Sequence, residues 1–234
     1  MASLLAAAGA IWWYFHWRTA PWHPALTARE AATRVLAEYL AGQYPQASAL
    51  VVGNPFTQRS GQSAEIYAFE QASIRGLVQG FGSPAKVRVV FPELRRAFLE
   101  QPGSVFIDPK TTTPLSYLVA DDAFDRLVAT NANATLVVSL IGVPVQIRDS
   151  ALWRDHPHQR LALLLPDWRL VGDRESVRTA FKSGKMVAAV MQRPGAPAID
   201  QTRSRDYREA FQRRFLLVTR ENIDELLSTY PQLF

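Results

Sequence analysis

Two polar segments of the chain carry the side-chain types that bind small polar molecules. Each comes directly after a short apolar run, which is where the ligand-binding loops of open α/β sheets lie. The first segment offers amide and hydroxyl groups, from Asn54, Thr57, Ser60, Gln62 and Ser63. The second offers a carboxylate, an ammonium group and a hydroxyl, from Asp108, Lys110 and Thr111. We take these residues as the candidate ligand-binding set. The alternatives are a capped connection at 54–63 and ordinary turn chemistry at 108–113.

Nucleotide-binding and catalytic signatures are incomplete. Gly61-Gln62-Ser63 lacks the lysine of a phosphate-binding loop, and Phe56 stands where that loop needs its first glycine. No G-x-G-x-x-G fingerprint follows the first apolar run, and no G-x-S-x-G elbow is present. The chain has no cysteine, which excludes thiolate nucleophiles and cysteine-based metal sites. We therefore predict no catalytic residue and no cofactor.

The remaining chemistry-bearing residues are scattered. His156 and His158 stand beside Asp155, a spacing that could ligate a metal, but the intervening proline is typical of an exposed loop. We predict no metal site. Glu93 is a further acid that could meet Asp108 and Asp167 at the ends of strands. Other residues expected at strand ends are Ser139, Gly142, Asp167, Arg169, Gln192 and Arg193.

Short apolar runs alternate with longer amphipathic stretches along most of the chain. Because the runs show little polar alternation, they are typical of parallel strands buried on both faces. This pattern predicts a single doubly wound, mostly parallel sheet, a Rossmann-like three-layer α/β fold. The predicted strands are 49–53, 87–91, 105–107, 136–141, 161–165, 187–191 and 215–218. The predicted helices are 27–44, 63–80, 114–130, 145–154, 174–183, 204–213 and 220–229, with Thr27 and Thr113 as caps.

The N-terminus predicts a membrane anchor. Residues 3–17 contain no acid, lysine or arginine and end in an aromatic cluster, which suits the headgroup level of a bilayer. The expected interface residues are Trp12, Trp13, Tyr14, Trp17 and Arg18. A buried or amphipathic helix packed on a partner is the alternative. The predicted organisation is an anchor at 1–18, a linker at 19–26 and one α/β domain at 27–234.

Composition bounds the partners. The 234 residues carry a net charge of +5 with 48% apolar and 20% charged residues, which are ordinary globular values. Six arginines lie between residues 193 and 214, and their spacing with acids is typical of a solvated helix face. Attraction to anionic lipid is the second interpretation. Without aromatic interleaving or a recognised module, we predict no nucleic-acid binding.

The run Val51-Val52-Gly53-Asn54-Pro55-Phe56, with Ile74-Arg75-Gly76-Leu77 and a second strand at Val87, resembles the opening βαβ unit of type 1 periplasmic solute-binding proteins. The resemblance covers about residues 49–91 and implies that Asn54 and Thr57 line a ligand cleft. It also implies an extracytoplasmic placement. The positive-inside rule points the other way, because Arg18, Arg29 and Arg34 follow the apolar segment and no basic residue precedes it. Such proteins have two lobes and are longer than this chain, so any ligand site here would be open.

Two functions follow from these patterns. The first is a membrane-anchored, non-catalytic accessory or scaffold subunit, bound to a bilayer through residues 3–17 and to protein partners through the α/β domain. The alternative is a receptor for a polar small molecule that resembles a solute-binding domain. An enzyme of unknown reaction is a third.

Overall fold

The apolar runs of the sequence build one six-stranded sheet. The computed structural model describes residues 23–154, 158–198 and 206–234. The strands in these residues are Ala49–Val52 (β1), Val87–Val90 (β2), Leu136–Ser139 (β3), Arg160–Leu164 (β4), Met186–Gln192 (β5) and Phe215–Thr219 (β6). Their order is β2-β1-β3-β4-β5-β6, with β1 to β5 parallel and β6 antiparallel to β5. The predicted mostly parallel, Rossmann-like sheet is confirmed.

Helices cover both faces of the sheet. They are His23–Gln43 (α1), Ala64–Phe81 (α2), Arg96–Glu100 (α3), Leu115–Leu118 (α4), Ala123–Thr130 (α5), Ala151–Arg154 (α6), Arg174–Lys182 (α7), Tyr207–Arg214 (α8) and Ile223–Thr229 (α9). Apolar residues of α1, α2 and α8 form one core cluster with the sheet, and those of α5, α6, α7 and α9 form another. Neighbouring strand residues divide between the clusters, as Val51 and Val52 do, because successive side chains point to opposite faces.

Two glycines allow α1 and α2 to approach closely. A Cβ atom added at Gly76 would lie 2.1 Å from Thr33 Oγ1 and 2.3 Å from the Glu30 carbonyl oxygen. At Gly80 the added atom would lie 2.5 Å from both Ala37 Cβ and the Arg34 carbonyl oxygen. Residues four apart share a helix face, so the two glycines form one contact strip on α2. The helix backbones therefore pack at a distance that no side chain on this strip could occupy.

The predicted strand at 105–107 is wrong. This segment is irregular, and the side chain of Phe106 is 76% exposed. An apolar run of three residues, bounded by Pro102-Gly103 and Asp108-Pro109, is too short to be held in a sheet without a neighbouring strand. The connection between β2 and β3 instead contains α3, which the sequence analysis did not predict.

Two predicted helices are interrupted. The segment 114–130 divides into α4 and α5, because Leu94 and Val119 form an antiparallel bridge and the Ala120 amide donates to the Glu93 carbonyl oxygen at 2.9 Å. These contacts pull the chain out of helical geometry between the two pieces. The segment 145–154 divides similarly into a 3₁₀ turn, Ile147–Asp149, and α6.

The first described helix begins earlier than predicted. Its range includes residues 23–26, which the sequence analysis placed in the linker, and Pro24 is tolerated there because the first helical turn needs no intrahelical amide donors. Thr27 is consequently not a cap, and its hydroxyl donates to the His23 carbonyl oxygen at 3.2 Å. The predicted anchor and its interface residues lie outside the described residues. No described helix is both long and apolar enough to cross a bilayer.

Strand β2 forms one edge of the sheet. It has four residues, of which Arg88 is exposed and the other three are half-buried. Pro84 precedes the strand in a short 3₁₀ turn, and Pro92 lies two residues after its end. In the described part of the chain, no other strand pairs with the outer side of β2.

Candidate functional site

Strands β1 to β5 end at one edge of the sheet, called the carboxyl edge below. In open α/β sheets this edge carries the ligand site, at the point where strand order reverses. Here the reversal lies between β1 and β3, because the chain places β2 on one side of β1 and β3 to β5 on the other. Residues 54–63 follow β1 and residues 108–113 precede α4, so both predicted segments belong to this edge.

The second segment forms a network of hydrogen bonds around Arg169. The Arg169 guanidinium donates from Nη1 to Asp108 Oδ2 at 2.8 Å, and from Nε and Nη2 to the two oxygens of Asp167 at 2.9 and 2.6 Å. Thr111 Oγ1 donates to Asp167 Oδ2 at 2.8 Å. Two segments distant in the sequence, 108–111 and 167–169, are thereby joined, and two predicted site residues, Asp108 and Thr111, meet two strand-end residues.

Burial and charge oppose each other at Asp167. Its side chain is buried, which works to raise its pKa, but hydrogen bonds from Arg169 and Thr111 outweigh burial and hold the pKa below its usual range. The same hydrogen bonds raise the pKa of Arg169, whose side chain remains 48% exposed. A planar guanidinium that donates hydrogen bonds to two carboxylates is fixed in orientation. Arg169 is therefore a rigid, half-exposed cation.

Acid should weaken this network. Because the pKa of Asp167 is lower in the folded protein than in the unfolded chain, its stabilising contribution is present above about pH 4 and is lost as the pH falls through the folded value. We expect Asp167→Asn to lose about 2 kcal/mol of unfolding free energy at pH 7 and less at low pH. Urea unfolding between pH 7 and pH 2 measures this, and a deficit independent of pH would contradict it.

The first segment is largely engaged in local structure. Asn54 Oδ1 accepts a hydrogen bond from the Phe56 amide at 3.0 Å and caps the 3₁₀ turn Pro55–Gln58. Thr57 Oγ1 donates to the Asn54 carbonyl oxygen at 2.7 Å. Ser60 and Ser63 are exposed and Gln62 is half-buried; Ser63 begins α2 without a side-chain cap bond. Among the described residues, no hydrogen bond or ion pair joins the two predicted segments.

A buried acid and a base lie beside the first segment, and the sequence analysis missed both. Glu70 of α2 is buried, and its Oε1 accepts from the Asn54 amide at 3.0 Å. Arg29 of α1 donates to the Leu140 carbonyl oxygen, just after β3, at 3.2 Å, and also to Ser73 Oγ. Burial raises the pKa of Glu70 and lowers that of Arg29, and the charge of each opposes the other's shift. Arg29 is half-buried and forms no ion pair with Glu70 within 4 Å, but the two side chains together bind the backbone just after β1 and just after β3.

The sequence did hold a signal for Glu70. Residues 70, 73 and 77 share one face of α2, and Ser73 and Leu77 on that face are fully buried. An acid on the apolar face of a helix predicts a buried partner. No comparable signal identifies Arg29 as that partner, because their proximity depends on how α1 and α2 pack.

The other expected strand-end residues do not join the network. Glu93 Oε2 pairs with Arg126 at 3.1 Å, and Arg193 donates to the Gln212 carbonyl oxygen at 2.9 Å. Ser139 Oγ binds within the turn after β3. Thr113 is not a helix cap. Helix α4 begins at Leu115 with Pro114 at the cap position, and the buried Thr113 hydroxyl has no hydrogen-bond partner. Within residues 23–154, 158–198 and 206–234, no group of three acids or histidines is arranged to hold a metal ion.

Comparison with known proteins shows a partial likeness of fold. No protein-family model matches the chain, and no curated protein matches it. Among solved structures, the chain is similar to GanP, a glucose-galactose binding protein from Geobacillus stearothermophilus, with 9% identity and a TM-score of 0.41 over 86% of this chain and 54% of GanP. It is also similar to AraP, an arabinose binding protein from the same organism, with 11% identity and a TM-score of 0.47 over 84% and 62%.

A third similar structure is an ABC transporter solute binding protein from Burkholderia graminis in complex with D-arabinose. Its identity is 12% and its TM-score 0.46, over 83% of this chain and 61% of that protein. The chain thus spans between 54% and 62% of the length of these three proteins. The weak, partial resemblance to type 1 periplasmic solute-binding proteins is confirmed, and at such TM-scores it carries no argument about ligand or partner.

Proposed function

We propose that the carboxyl edge binds a small polyhydroxylated molecule, which makes the domain an open solute-binding module. The observation that carries this proposal is the exposed guanidinium of Arg169, fixed by Asp108 and Asp167 at the edge where α/β sheets bind ligands. This supports the small-molecule alternative of the sequence analysis over the scaffold function.

The hydrogen-bonding capacity left at the network fits hydroxyl groups. A guanidinium has five N–H donors, and Arg169 uses three of them within the described residues. Asp108 Oδ1 accepts from the Lys110 amide at 2.8 Å and Oδ2 accepts from Arg169, which leaves further lone pairs on a half-buried carboxylate. A hydroxyl both accepts and donates, so one hydroxyl can bind the cation and the next can bind the carboxylate.

The roles of the predicted residues follow from this geometry. Asp108 and Arg169 are proposed to contact ligand, while Thr111 and Asp167 position Arg169. Lys110 is exposed beside them and is proposed to contact an anionic substituent of the ligand. The other proposed ligand contacts belong to the segment after β1, across the point where the strand order reverses. They are Asn54, Thr57, Ser60, Gln62 and Ser63.

Ligand-dependent stability tests the proposal. Thermal unfolding of the full chain is measured with a panel of pentoses, hexoses and sugar acids, because all of them present adjacent hydroxyl groups and the sugar acids add a carboxylate for Lys110. At 100-fold excess over Kd, a ligand specific for the folded state should raise Tm by about 5–10 °C. We expect Arg169→Gln to abolish that shift and Arg88→Gln, which removes an exposed arginine from the edge strand, to preserve it. A shift that survives Arg169→Gln would refute the assignment.

Membrane anchoring and placement outside the cytoplasm are proposed as well. They rest on the apolar and aromatic composition of residues 3–17 and on the 49–91 motif. Residues 3–17 lie outside the described residues. Membrane anchoring and placement outside the cytoplasm therefore remain predictions. Protein partners at the membrane have the same standing.

A further inference from the structure

A cavity lies away from the Arg169 network. It has a volume of about 440 Å³ and runs between the segment 147–154 and α7. Small-molecule sites commonly fall between about 300 and 1,000 Å³, so its size suits a compact organic ligand. The apolar part of its lining consists of Trp153 with the buried residues Val171 and Ala180.

One wall of the cavity is a row of hydroxyl groups. Ser176, Thr179 and Ser183 line it at spacings of three and four residues, which place them on one side of α7 and its C-terminal cap. At 1.5 Å per residue, the row spans about 10 Å. The lining of this cavity, called the slot below, therefore combines the Trp153 ring with a row of hydroxyl groups, and an aromatic ring favours a planar ligand that can stack on it.

Cations lie toward both ends of the slot. Arg148 lines the end near the start of α7, and the Lys185 Nζ atom lies 5.7 Å from the centre of the Trp153 ring. Within the described residues, the Arg148 side chain makes no hydrogen bond and no ion pair within 4 Å. Its guanidinium N–H groups can therefore donate to a ligand. Its positive charge helps to lower the pKa of Asp173, after the hydrogen bonds from Ser176 that dominate that shift.

Both acids among the described residues that line the slot, Asp173 and Glu175, are already engaged. Asp173 caps α7 by accepting from the Ser176 amide at 2.8 Å, and Glu175 pairs with Arg178 at 3.3 Å. Among the described lining residues, a ligand cation would therefore meet the positive charge of Arg148 and no uncommitted carboxylate. A ligand carboxylate would meet the guanidinium of Arg148, and a guanidinium binds such groups through two parallel hydrogen bonds.

We propose that this slot is a second binding site, specific for a small planar organic anion. The anionic group binds Arg148, the planar body packs against the Trp153 ring, and the hydroxyl row of α7 borders its edge. The site is independent of the one at the carboxyl edge, since it shares no residue with the Arg169 network.

Calorimetric titration of the full chain with 2-naphthoate and its neutral analogue 2-naphthamide tests this. We expect 2-naphthoate to bind with a Kd below about 1 mM and 2-naphthamide to bind at least about tenfold more weakly. Arg148→Gln should remove that difference. Arg174→Gln takes the same charge from an exposed position on α7 outside the slot and should change nothing. Arg169→Gln should also leave naphthoate binding intact.

A variant that fills the slot provides an independent check. Thr179 is exposed, so Thr179→Trp places a bulky ring in the slot without disturbing the core and should abolish binding of both probes. Circular dichroism confirms that the variants are folded. The proposal is overturned if 2-naphthoate does not bind, if both probes bind wild type equally, or if Arg148→Gln and Arg174→Gln weaken binding by the same factor.

Discussion

Replacing Gly76 by alanine is expected to lower the free energy of unfolding by about 3 kcal/mol, although alanine is the better helix former. The new methyl group would lie 2.3 Å from the Glu30 carbonyl oxygen, a backbone atom that cannot rotate away. Relief therefore requires α1 and α2 to separate. Separation would weaken the packing of buried Leu36 and Leu77 against the sheet.

Gly42 supplies the matched control. It lies in α1, and an added Cβ atom there would meet nothing within 4 Å. Gly42→Ala should therefore leave stability unchanged or raise it by up to about 1 kcal/mol through helix propensity alone. Guanidinium unfolding followed by circular dichroism compares the variants. If Gly76→Ala proves as stable as Gly42→Ala, the helices are not in the close contact described.

Replacing Arg29 by methionine should cost about 3 kcal/mol at pH 7, because it removes the hydrogen bonds to Ser73 Oγ and the Leu140 carbonyl oxygen and leaves the buried Glu70 carboxylate without a nearby positive charge. Arg29 is the positive charge that opposes the burial of Glu70, whose pKa is raised in the folded state. An acid with a raised folded pKa destabilises the protein when ionised, and this penalty disappears as the pH falls below the folded value. The deficit of Arg29→Met relative to wild type should therefore shrink between pH 7 and pH 4.

The double variant Arg29→Met/Glu70→Gln separates this explanation from simple loss of packing. The amide keeps an oxygen that can accept from the Asn54 amide but carries no charge, so the double variant should recover more than half of the loss. Arg75→Met is the control: Arg75 pairs with Glu30 at 3.0 Å near the surface, and its loss should cost less than about 1 kcal/mol. A double variant no more stable than Arg29→Met would show that charge is not the cause.

The parts of the fold that the sequence predicts are those controlled by local patterning. Strands leave unbroken apolar runs, so all six strands of the described sheet and the helices α2, α7, α8 and α9 are recoverable within a few residues. The run at 105–107 misled because three apolar residues also occur in a loop, and Phe106 is exposed there. The break between α4 and α5 was not predictable, since the bridge from Leu94 to Val119 depends on tertiary contact.

The candidate site divides in the same way. Asp108 and Thr111 were found because polar residues after an apolar run are a local signal. Their partner Arg169 follows Asp108 by 61 residues, and only the order of β3 and β4 in the sheet brings them together. The Gly76–Gly80 strip shows the converse case. Its spacing was visible in the sequence, but its meaning depends on small residues in α1 that happen to face it.

The edge strand β2 has a consequence for how the protein behaves in concentrated solution. An unpaired strand edge exposes amide and carbonyl groups that can recruit an edge from another molecule and begin fibril growth. Here the strand is only four residues long, presents the charge of Arg88, and is followed two residues after its end by Pro92, which has no amide hydrogen to donate. These three features resist such recruitment, so polymerisation through this side of the sheet is disfavoured.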